Sequence, residues 1–128
     1  MRLLLDTHTL LWWLSDDPSL PASARKLIAR GSNTVLVSAA SAWEISIQVR
    51  LGKLPDATDL LGDFSGYLAR ERFESLSISP EHAVRAGLLP GAHKDPFDRM
   101  LIAQAHAENV PIISNDAAFD SYKVRRLW

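Results

Sequence analysis

The sequence predicts an α/β fold of three layers, α/β/α, around a central and mostly parallel β-sheet. Two patterns carry that prediction. Apolar runs of strand length recur along the chain, the first of them Leu3-Leu4-Leu5, and longer segments with helical periodicity separate them. Strands that alternate with helices in this way are typical of a parallel sheet covered by helices.

The individual elements follow from their start and stop signals. The strand at 3–5 is followed by a Trp/Leu-rich helix that ends before Asp17-Pro18, and then by a helix over 22–30. Gly31 supplies the left-handed residue with which that helix is expected to end. The remaining predicted elements are strands at 35–37, 75–78, 110–114 and 124–127, helices at 41–51, 60–72 and 95–108, a helix that starts at Ser79-Pro80, and a short turn or helix around Phe119.

The composition predicts one folded domain spanning residues 1–128. That length encloses a continuous apolar core, and 47% of the residues are hydrophobic. No repeat or low-complexity segment interrupts the chain. The absence of cysteine excludes disulfides, thiolate zinc sites and a cysteine nucleophile, so any metal ligand has to be an oxygen or an imidazole.

The sequence shows neither a signal peptide nor a membrane span, which favours a soluble cytoplasmic protein with no membrane association. The apolar start of the chain is too short for a signal peptide, and no apolar run approaches the roughly 20 residues of a membrane span. The net charge of −1 neither indicates nor excludes a nucleic-acid partner. Candidates for a basic rim around an RNA site are Lys94, Arg99, Lys123, Arg125 and Arg126.

Four acidic residues follow strands of the predicted sheet or open the helices after them. Asp6 comes directly after the first strand and Glu44 soon after the second. Asp98 lies in the first turn of the helix at 95–108, and Asp116 follows the strand at 110–114. Because ligands of open parallel sheets bind outside the carboxyl ends of the strands, we expect these four side chains to converge.

Converging carboxylates imply a metal ion. Packed together they resist ionising together unless a cation neutralises them. Oxygen ligands favour Mg²⁺ or Mn²⁺, which also contact a substrate phosphate. The chemistry that follows is hydrolysis of a phosphodiester bond by a water that the metal orients and activates.

The same residues also have structural explanations, and the spacing alone leaves both roles open. Asp95 precedes Pro96 as a helix N-cap would. Ser41 and Glu44 match a capping box, and Asp116 is positioned to cap the short helix that follows. Asp6 is harder to explain as a cap, because an aspartate directly after three leucines is costly to bury without a partner.

The tryptophans and histidines near these carboxylates allow two further predictions. Trp12, Trp13 and Trp43 lie at helical spacing, so we expect most of them to pack in the core rather than to stack on bases. The histidines show no metal-ligand spacing, and His93, in the loop before Asp95, is a candidate for contacting a phosphate.

Four segments, in one order across nearly the whole chain, match a known family: residues 4–8, 41–45 together with 51–54, 93–105 and 113–116. The third segment, HKDPFDRMLIAQA, is the most specific. Together they resemble the PIN domain and, within that family, the VapC-like toxins of type II toxin-antitoxin pairs.

The resemblance implies a PIN-like fold and a Mg²⁺- or Mn²⁺-dependent endoribonuclease. It implies that Asp6 and Asp98 are the main metal ligands and that Glu44 and Asp116 complete the site directly or through water, while Asp95 is a supporting cap. It also implies a homodimer, an RNA substrate and a cognate VapB-type antitoxin that covers or invades the acidic pocket.

Other Mg²⁺-binding α/β classes fit the sequence less well. A phosphatase of the haloacid-dehalogenase type needs a second aspartate two residues after the first, where this chain has His8. A phospho-receiver domain needs paired acids early and a late lysine. Neither glycine-rich phosphate loop nor an H-E-x-x-H segment is present. The alternative that stays open is a catalytically silent PIN-like module that binds RNA or a protein.

Overall fold

The computed structural model describes residues 1–128 and contains one five-stranded sheet. Its strands run in the order β3-β2-β1-β4-β5, and every neighbouring pair is parallel. This confirms the predicted α/β class. The strands are β1 (Arg2–Leu5), β2 (Thr34–Ser38), β3 (Glu74–Leu76), β4 (Ile112–Ile113) and β5 (Arg126–Leu127).

Seven α-helices and two 3-10 helices connect and cover the strands. None of these helices is long and apolar enough to cross a membrane. The α-helices are α1 (Thr7–Leu14), α2 (Ala22–Ala29), α3 (Ala39–Arg50), α4 (Thr58–Gly62), α5 (Phe64–Arg70), α6 (Pro80–Leu88) and α7 (Pro96–Glu108), and the 3-10 helices are Pro55–Ala57 and Ala117–Tyr122.

Apolar side chains alternate between the two faces of the sheet and create two cores. In β1, Leu3 and Leu5 pack with the core on the face that α1 to α5 cover. Leu4, between them, belongs to the second core with Ile102 of α7 and Phe119. Because successive side chains of a strand point to opposite faces, an all-leucine strand is buried on both sides. The result is the three-layer α/β/α arrangement.

The chain order of the strands creates a crevice beside β1. The chain runs from β1 outward through β2 to β3, and then returns to the other side of β1 with β4. At such a switch point the connections leave in opposite directions, which opens a crevice outside the carboxyl ends of the strands. Asp6 directly follows β1, and the segment Ser114–Asp116 follows β4, so both border this crevice.

The predicted left-handed cap at Gly31 is wrong. Helix α2 ends with Arg30 in an extended conformation, and the glycines with positive φ are Gly52 and Gly91. The side-chain amide of Asn33 donates to the carbonyl oxygen of Leu27 at 2.9 Å. That bond satisfies one of the carbonyls that a left-handed cap would otherwise serve, so the chain enters β2 without it.

The helix predicted at 60–72 is two helices. Asp63 leaves helical geometry at φ −152° and ψ 62°, and its side chain accepts a hydrogen bond from the backbone N–H of Gly66 at 3.1 Å. Asp63 thus acts as the N-cap of α5 and separates it from α4. The 3-10 helix Pro55–Ala57 before α4 has no counterpart among the predicted elements.

Candidate active site

An open cavity of about 580 Å³ lies at the carboxyl edge of the sheet. It brings together all four acidic residues that the sequence singled out. None of its lining residues is Lys or Arg. We call it the acidic pocket, and it is lined by Asp6, His8, Trp12, Glu44, His93, Asp95, Asp98, Asn115 and Asp116.

Asp6 sits at the floor of the acidic pocket, at the junction of β1 and α1. It is 5% exposed, and one of its oxygens, Oδ2, accepts a hydrogen bond from the Ser114 hydroxyl at 2.7 Å. Burial raises the pKa of Asp6 because it penalises the charged form, while the bond from Ser114 acts in the opposite direction. The strand end and the partner hydroxyl together fix this carboxylate at the crevice.

Ser114 also connects Asp6 to Asp116. Its hydroxyl oxygen accepts a hydrogen bond from the backbone N–H of Asp116 at 3.0 Å while the hydroxyl donates to Asp6. The Asp116 side chain is exposed at the rim, and its Oδ1 accepts from the Ala118 N–H at 2.9 Å. Asp116 therefore caps the second 3-10 helix, as the sequence analysis allowed, and also lines the pocket.

Glu44 lies on the second turn of α3 and is half-buried. The predicted capping box of Ser41 and Glu44 is wrong, because α3 begins earlier than expected. Ser38 is the N-cap, and its hydroxyl accepts from the Ala40 N–H at 3.0 Å. Ser41 instead pairs its hydroxyl with that of Thr7 at 2.9 Å, which joins α1 to α3 beside the pocket.

The pKa of Glu44 is raised by burial, and the negative charges of Asp95 and Asp6 act in the same direction. With no cap to form, the Glu44 carboxylate is available to the acidic pocket.

Asp98 and Asp95 open α7 and have different partners. The Oδ1 atom of Asp95 accepts hydrogen bonds from the backbone N–H groups of Phe97 at 2.9 Å and Asp98 at 3.2 Å, which confirms Asp95 as the N-cap. The Asp98 side chain is 16% exposed, and its Oδ2 lies 2.8 Å from Nε2 of His93. Burial is the largest cause that raises the pKa of Asp98, to about 6.

The donor set suits a hard divalent cation. Five carboxylates share one pocket, and the negative charges of Asp95 and Asp6 raise the pKa values of Glu44 and Asp98, so a cation that enters the pocket relieves repulsion already present. No three acidic or histidine side chains form a compact ligand cluster. Mg²⁺ does not require one, because it keeps several waters and binds through one or two carboxylates together with substrate phosphate.

Two members of the proposed basic rim have other partners. Arg99 donates to the backbone carbonyls of His93 and Ala86, at 3.1 and 3.3 Å. Arg126 pairs with both carboxylate oxygens of Asp120, at 2.9 and 3.0 Å. A sequence does not reveal such tertiary partners, so the prediction of a basic rim could not anticipate them.

Three lining residues were not predicted as part of the site. His8 and Trp12 stand one helical turn apart on α1, two and six residues after Asp6. The i, i+4 spacing of His8 and Trp12 places them on one face of α1, and the closeness of His8 to Asp6 in the chain was the signal that could have located that face. Asn115 lies between Ser114 and Asp116, and adjacency was the signal there.

The tryptophans divide between core and surface. Trp12 and Trp13 pack against the larger core as expected. Trp43 does not, since it is 61% exposed and lies edge-on to the ring of Phe97, with ring centres 5.1 Å apart. Its neighbour on the same turn, Glu44, faces the acidic pocket, so Trp43 projects from a different side of α3.

The fold and the arrangement of its strand ends agree with one family of proteins. The chain belongs to the PIN-domain family, whose family model matches residues 3–124.

One known ribonuclease and three solved structures illustrate what this chain is similar to. Ribonuclease VapC16 of Mycobacterium tuberculosis is 52% identical over 42 residues, a stretch that covers 30% of this chain and 30% of that protein. Three solved structures share the fold along almost their full length. VapBC2 from Rickettsia felis, bound to a DNA fragment from its promoter, has a TM-score of 0.74, with 20% identity and 99% and 98% of the two chains covered.

The other two structures are similarly distant in sequence. FitAcB from Neisseria gonorrhoeae has a TM-score of 0.70, with 18% identity and 98% and 96% of the chains covered. VapBC-1 from nontypeable Haemophilus influenzae has a TM-score of 0.69, with 14% identity and 99% and 97% covered. At these identities the three structures establish the fold.

Proposed function

We propose that this protein is a VapC-like toxin of a toxin-antitoxin pair, an endoribonuclease that hydrolyses RNA phosphodiester bonds in the cytoplasm with Mg²⁺ or Mn²⁺. One observation supports the proposal most strongly. Asp6, Glu44, Asp98 and Asp116, which are distant in sequence, line one pocket. Burial raises the pKa values of the first three, a cost that a purely structural role leaves unexplained.

The electrostatics of the pocket support a requirement for a cation in the proposed RNA hydrolysis. An RNA phosphate that enters the pocket meets five carboxylates and no Lys or Arg. When bound, a divalent ion supplies the missing positive charge and lowers the pKa of a water beside the phosphate. Asp6 and Asp98 hold the ion in this proposal, and Glu44 and Asp116 complete its surroundings directly or through water.

The chain's own residues then orient the reacting groups. Ser114 fixes the Asp6 carboxylate through its hydroxyl, and the Thr7–Ser41 pair keeps α3, and with it Glu44, beside α1. A water positioned among these carboxylates attacks phosphorus, and the bond from phosphorus to the leaving oxygen breaks. Trp12 forms the apolar side of the pocket.

The proposed partner is a VapB-type antitoxin, and the surface next to the acidic pocket supports it. A second groove of about 500 Å³ shares His8 and Trp12 with the pocket and continues past Leu11 and Leu14 of α1. A segment with apolar side chains for the groove and a basic side chain for the pocket fits both surfaces. We expect such an antitoxin to inhibit cleavage when it is added to the purified protein.

Cleavage of total RNA by the purified, antitoxin-free protein tests the proposed activity. We expect discrete fragments with Mg²⁺ or Mn²⁺, none with EDTA, and none from the Asp98→Asn variant. If a folded protein cuts no RNA under any metal condition, the binding-module alternative replaces the nuclease.

A further inference from the structure

The loop between α6 and α7 carries a histidine that contacts a candidate metal ligand. Nε2 of His93 lies 2.8 Å from Oδ2 of Asp98. An ionised carboxylate only accepts hydrogen bonds, so this ring nitrogen carries the proton and donates. The other carboxylate oxygen of Asp98, Oδ1, has no hydrogen-bond partner within the protein. The contact therefore fixes the Asp98 side chain and leaves one oxygen free to meet a ligand.

The backbone of His93 is held from two sides by side chains of other elements. Its N–H donates to the Tyr122 hydroxyl at 2.9 Å, and its carbonyl oxygen accepts from Nη1 of Arg99 at 3.1 Å. Loop residues commonly satisfy their backbone groups with water. Both backbone groups of His93 are instead bound to side chains of the second 3-10 helix and of α7.

Arg99 binds backbone carbonyls around the loop and forms no ion pair. Besides His93, its guanidinium donates to the carbonyls of Ala86 and Leu89 at the end of α6. The last carbonyls of a helix have no partner within the helix. A guanidinium that donates to three carbonyls therefore holds the end of α6 and the following loop together. No carboxylate pairs with Arg99.

The loop also packs closely on Tyr122. Gly91 has φ +104°, and a Cβ atom added there would lie 2.7 Å from the Tyr122 hydroxyl oxygen. The approach thus requires glycine on two grounds, backbone conformation and space. Neither Tyr122 nor Arg99 lines the acidic pocket, so their contribution to it passes through the loop.

We propose that Tyr122 and Arg99 are positioning residues, which clamp the 89–95 loop so that His93 holds the Asp98 carboxylate in the orientation that binds a divalent cation. The proposal rests on the proposed function for the role of Asp98. Hydrogen-bond partners of metal-binding carboxylates typically contribute in this way, and their loss costs on the order of 10-fold or more in metal affinity.

The test compares two hydroxyl deletions in the same 3-10 helix. Tyr122→Phe removes only the acceptor of the His93 N–H. Ser121→Ala removes a neighbouring exposed hydroxyl that donates to the Ala118 carbonyl within that helix. We expect Tyr122→Phe to weaken Mn²⁺ binding on the order of 10-fold in a titration without RNA, and Ser121→Ala to leave it unchanged.

Two further readouts separate positioning from general loosening. In NMR spectra without metal, we expect the His93 ring N–H signal to shift and exchange faster with water in Tyr122→Phe, but not in Ser121→Ala. In a His93→Ala background, Tyr122→Phe should have little additional effect on Mn²⁺ affinity, because Tyr122 acts through His93. In RNA cleavage we expect a lower kcat with KM unchanged.

Either of two results overturns the proposal: an unchanged His93 signal and Mn²⁺ affinity in Tyr122→Phe, or an undiminished effect in the His93→Ala background. If Tyr122→Phe does not fold, Arg99→Lys, which keeps the charge and loses the fork of donors, takes its place. A wild type that binds Mn²⁺ but cuts no RNA contradicts the nuclease and leaves the positioning result valid. If wild type binds no Mn²⁺ at all, the cation-binding part of this proposal fails as well.

Discussion

At the residue scale, the carboxylates of the acidic pocket oppose folding. Asp6, Glu44 and Asp98 each have a raised pKa, and burial is the largest cause for all three. A carboxyl group whose pKa is raised on folding lowers the free energy of unfolding at neutral pH, because it is ionised there. Sites that bind a charged ligand commonly carry such a penalty, which the ligand relieves.

Asp98 allows this penalty to be measured. Its pKa rises from 3.8 to about 6 on folding, so the folded chain holds the proton more tightly than the unfolded chain. Stability without metal should therefore fall as the pH rises from about 4 to above 6, by about 3 kcal/mol at most. Asp98→Asn removes the ionisation and keeps an oxygen that accepts from His93, so we expect this variant to be more stable than wild type at pH 7.5 and similar near pH 4.

Urea unfolding in EDTA at the two pH values measures the difference. The control is Glu74→Gln, which also removes one carboxylate but at an exposed position on edge strand β3. We expect its stability to equal that of wild type at both pH values. Equal stabilities of Asp98→Asn and wild type at pH 7.5 would show that burial of this carboxylate costs nothing.

At the scale of elements, a buried polar contact sets how α3 leaves the sheet. The Ser38 hydroxyl donates to Oε1 of Gln104 on α7 at 2.6 Å while it accepts from the Ala40 N–H. Ser38 and Gln104 are both fully buried. The contact joins the β2–α3 corner to α7, the two elements that carry Glu44 and Asp98 into the pocket.

Losing this contact should destabilise the fold without a change in net charge. Ser38→Ala removes an N-cap, worth about 1 kcal/mol, and leaves the Gln104 oxygen buried and unpaired, worth about 1–3 kcal/mol. Gln104→Leu leaves the Ser38 donor unpaired in the same way. Because both changes break the same Ser38–Gln104 contact, we expect the double variant to lose less stability than the two single losses combined.

A double-mutant cycle from urea unfolding tests this coupling. Ser46→Ala is the control, because its exposed hydroxyl bonds only the Trp43 carbonyl within α3, and we expect a loss within about 0.5 kcal/mol. Strictly additive losses for Ser38 and Gln104 would mean that the contact does not join the two elements energetically.

At the scale of the whole molecule, the exposed apolar surface around Trp43 is relevant to the homodimer that the resemblance implies. An apolar groove of about 260 Å³ lies beside Trp43 between α3, α6 and α7. Val84 and Leu88 on α6 are also exposed, 61% and 78%. An exposed aromatic ring beside an apolar groove favours an interface.

We therefore predict a solution mass of twice the 14.2 kDa chain. We expect Trp43→Glu to shift the protein toward the monomer in sedimentation equilibrium, because it places a charge on this surface. Leu51→Glu, at an exposed apolar residue that does not line the groove, is the matched control. A wild-type mass of one chain, or a dimer that Trp43→Glu leaves intact, would exclude this surface as the interface.

Much of the fold was predictable because its signals are local. Strands buried on both faces are continuous apolar runs, as in Leu3-Leu4-Leu5, and Asp95 followed by Pro96 marks a helix start by chemistry within one turn. The convergence of Asp6, Glu44, Asp98 and Asp116 followed from topology, since parallel strands present their carboxyl ends at one edge.

The errors arose where a tertiary partner replaced a local one. Asn33 satisfies the end of α2 in place of a left-handed Gly31, and Ser38 caps α3 in place of Ser41. Arg99 clamps a loop through carbonyls that no spacing rule connects to it. The role of His93 was equally hidden, because its contact with Asp98 depends on a loop whose path is fixed by Tyr122.

In the proposed function, the acidic pocket hydrolyses RNA through specific carboxylates rather than through its negative charge in general. Single-turnover RNA cleavage with Mg²⁺ by Asp98→Asn and by Asp95→Asn tests it most directly, since the two residues line one pocket three positions apart. Asn at 95 still caps α7. We predict that Asp98→Asn loses at least about 1000-fold in rate, the magnitude typical of an essential catalytic group, and that Asp95→Asn loses less than about 10-fold. Equal losses in both variants, or cleavage that survives Asp98→Asn, would contradict the proposed roles of these two carboxylates.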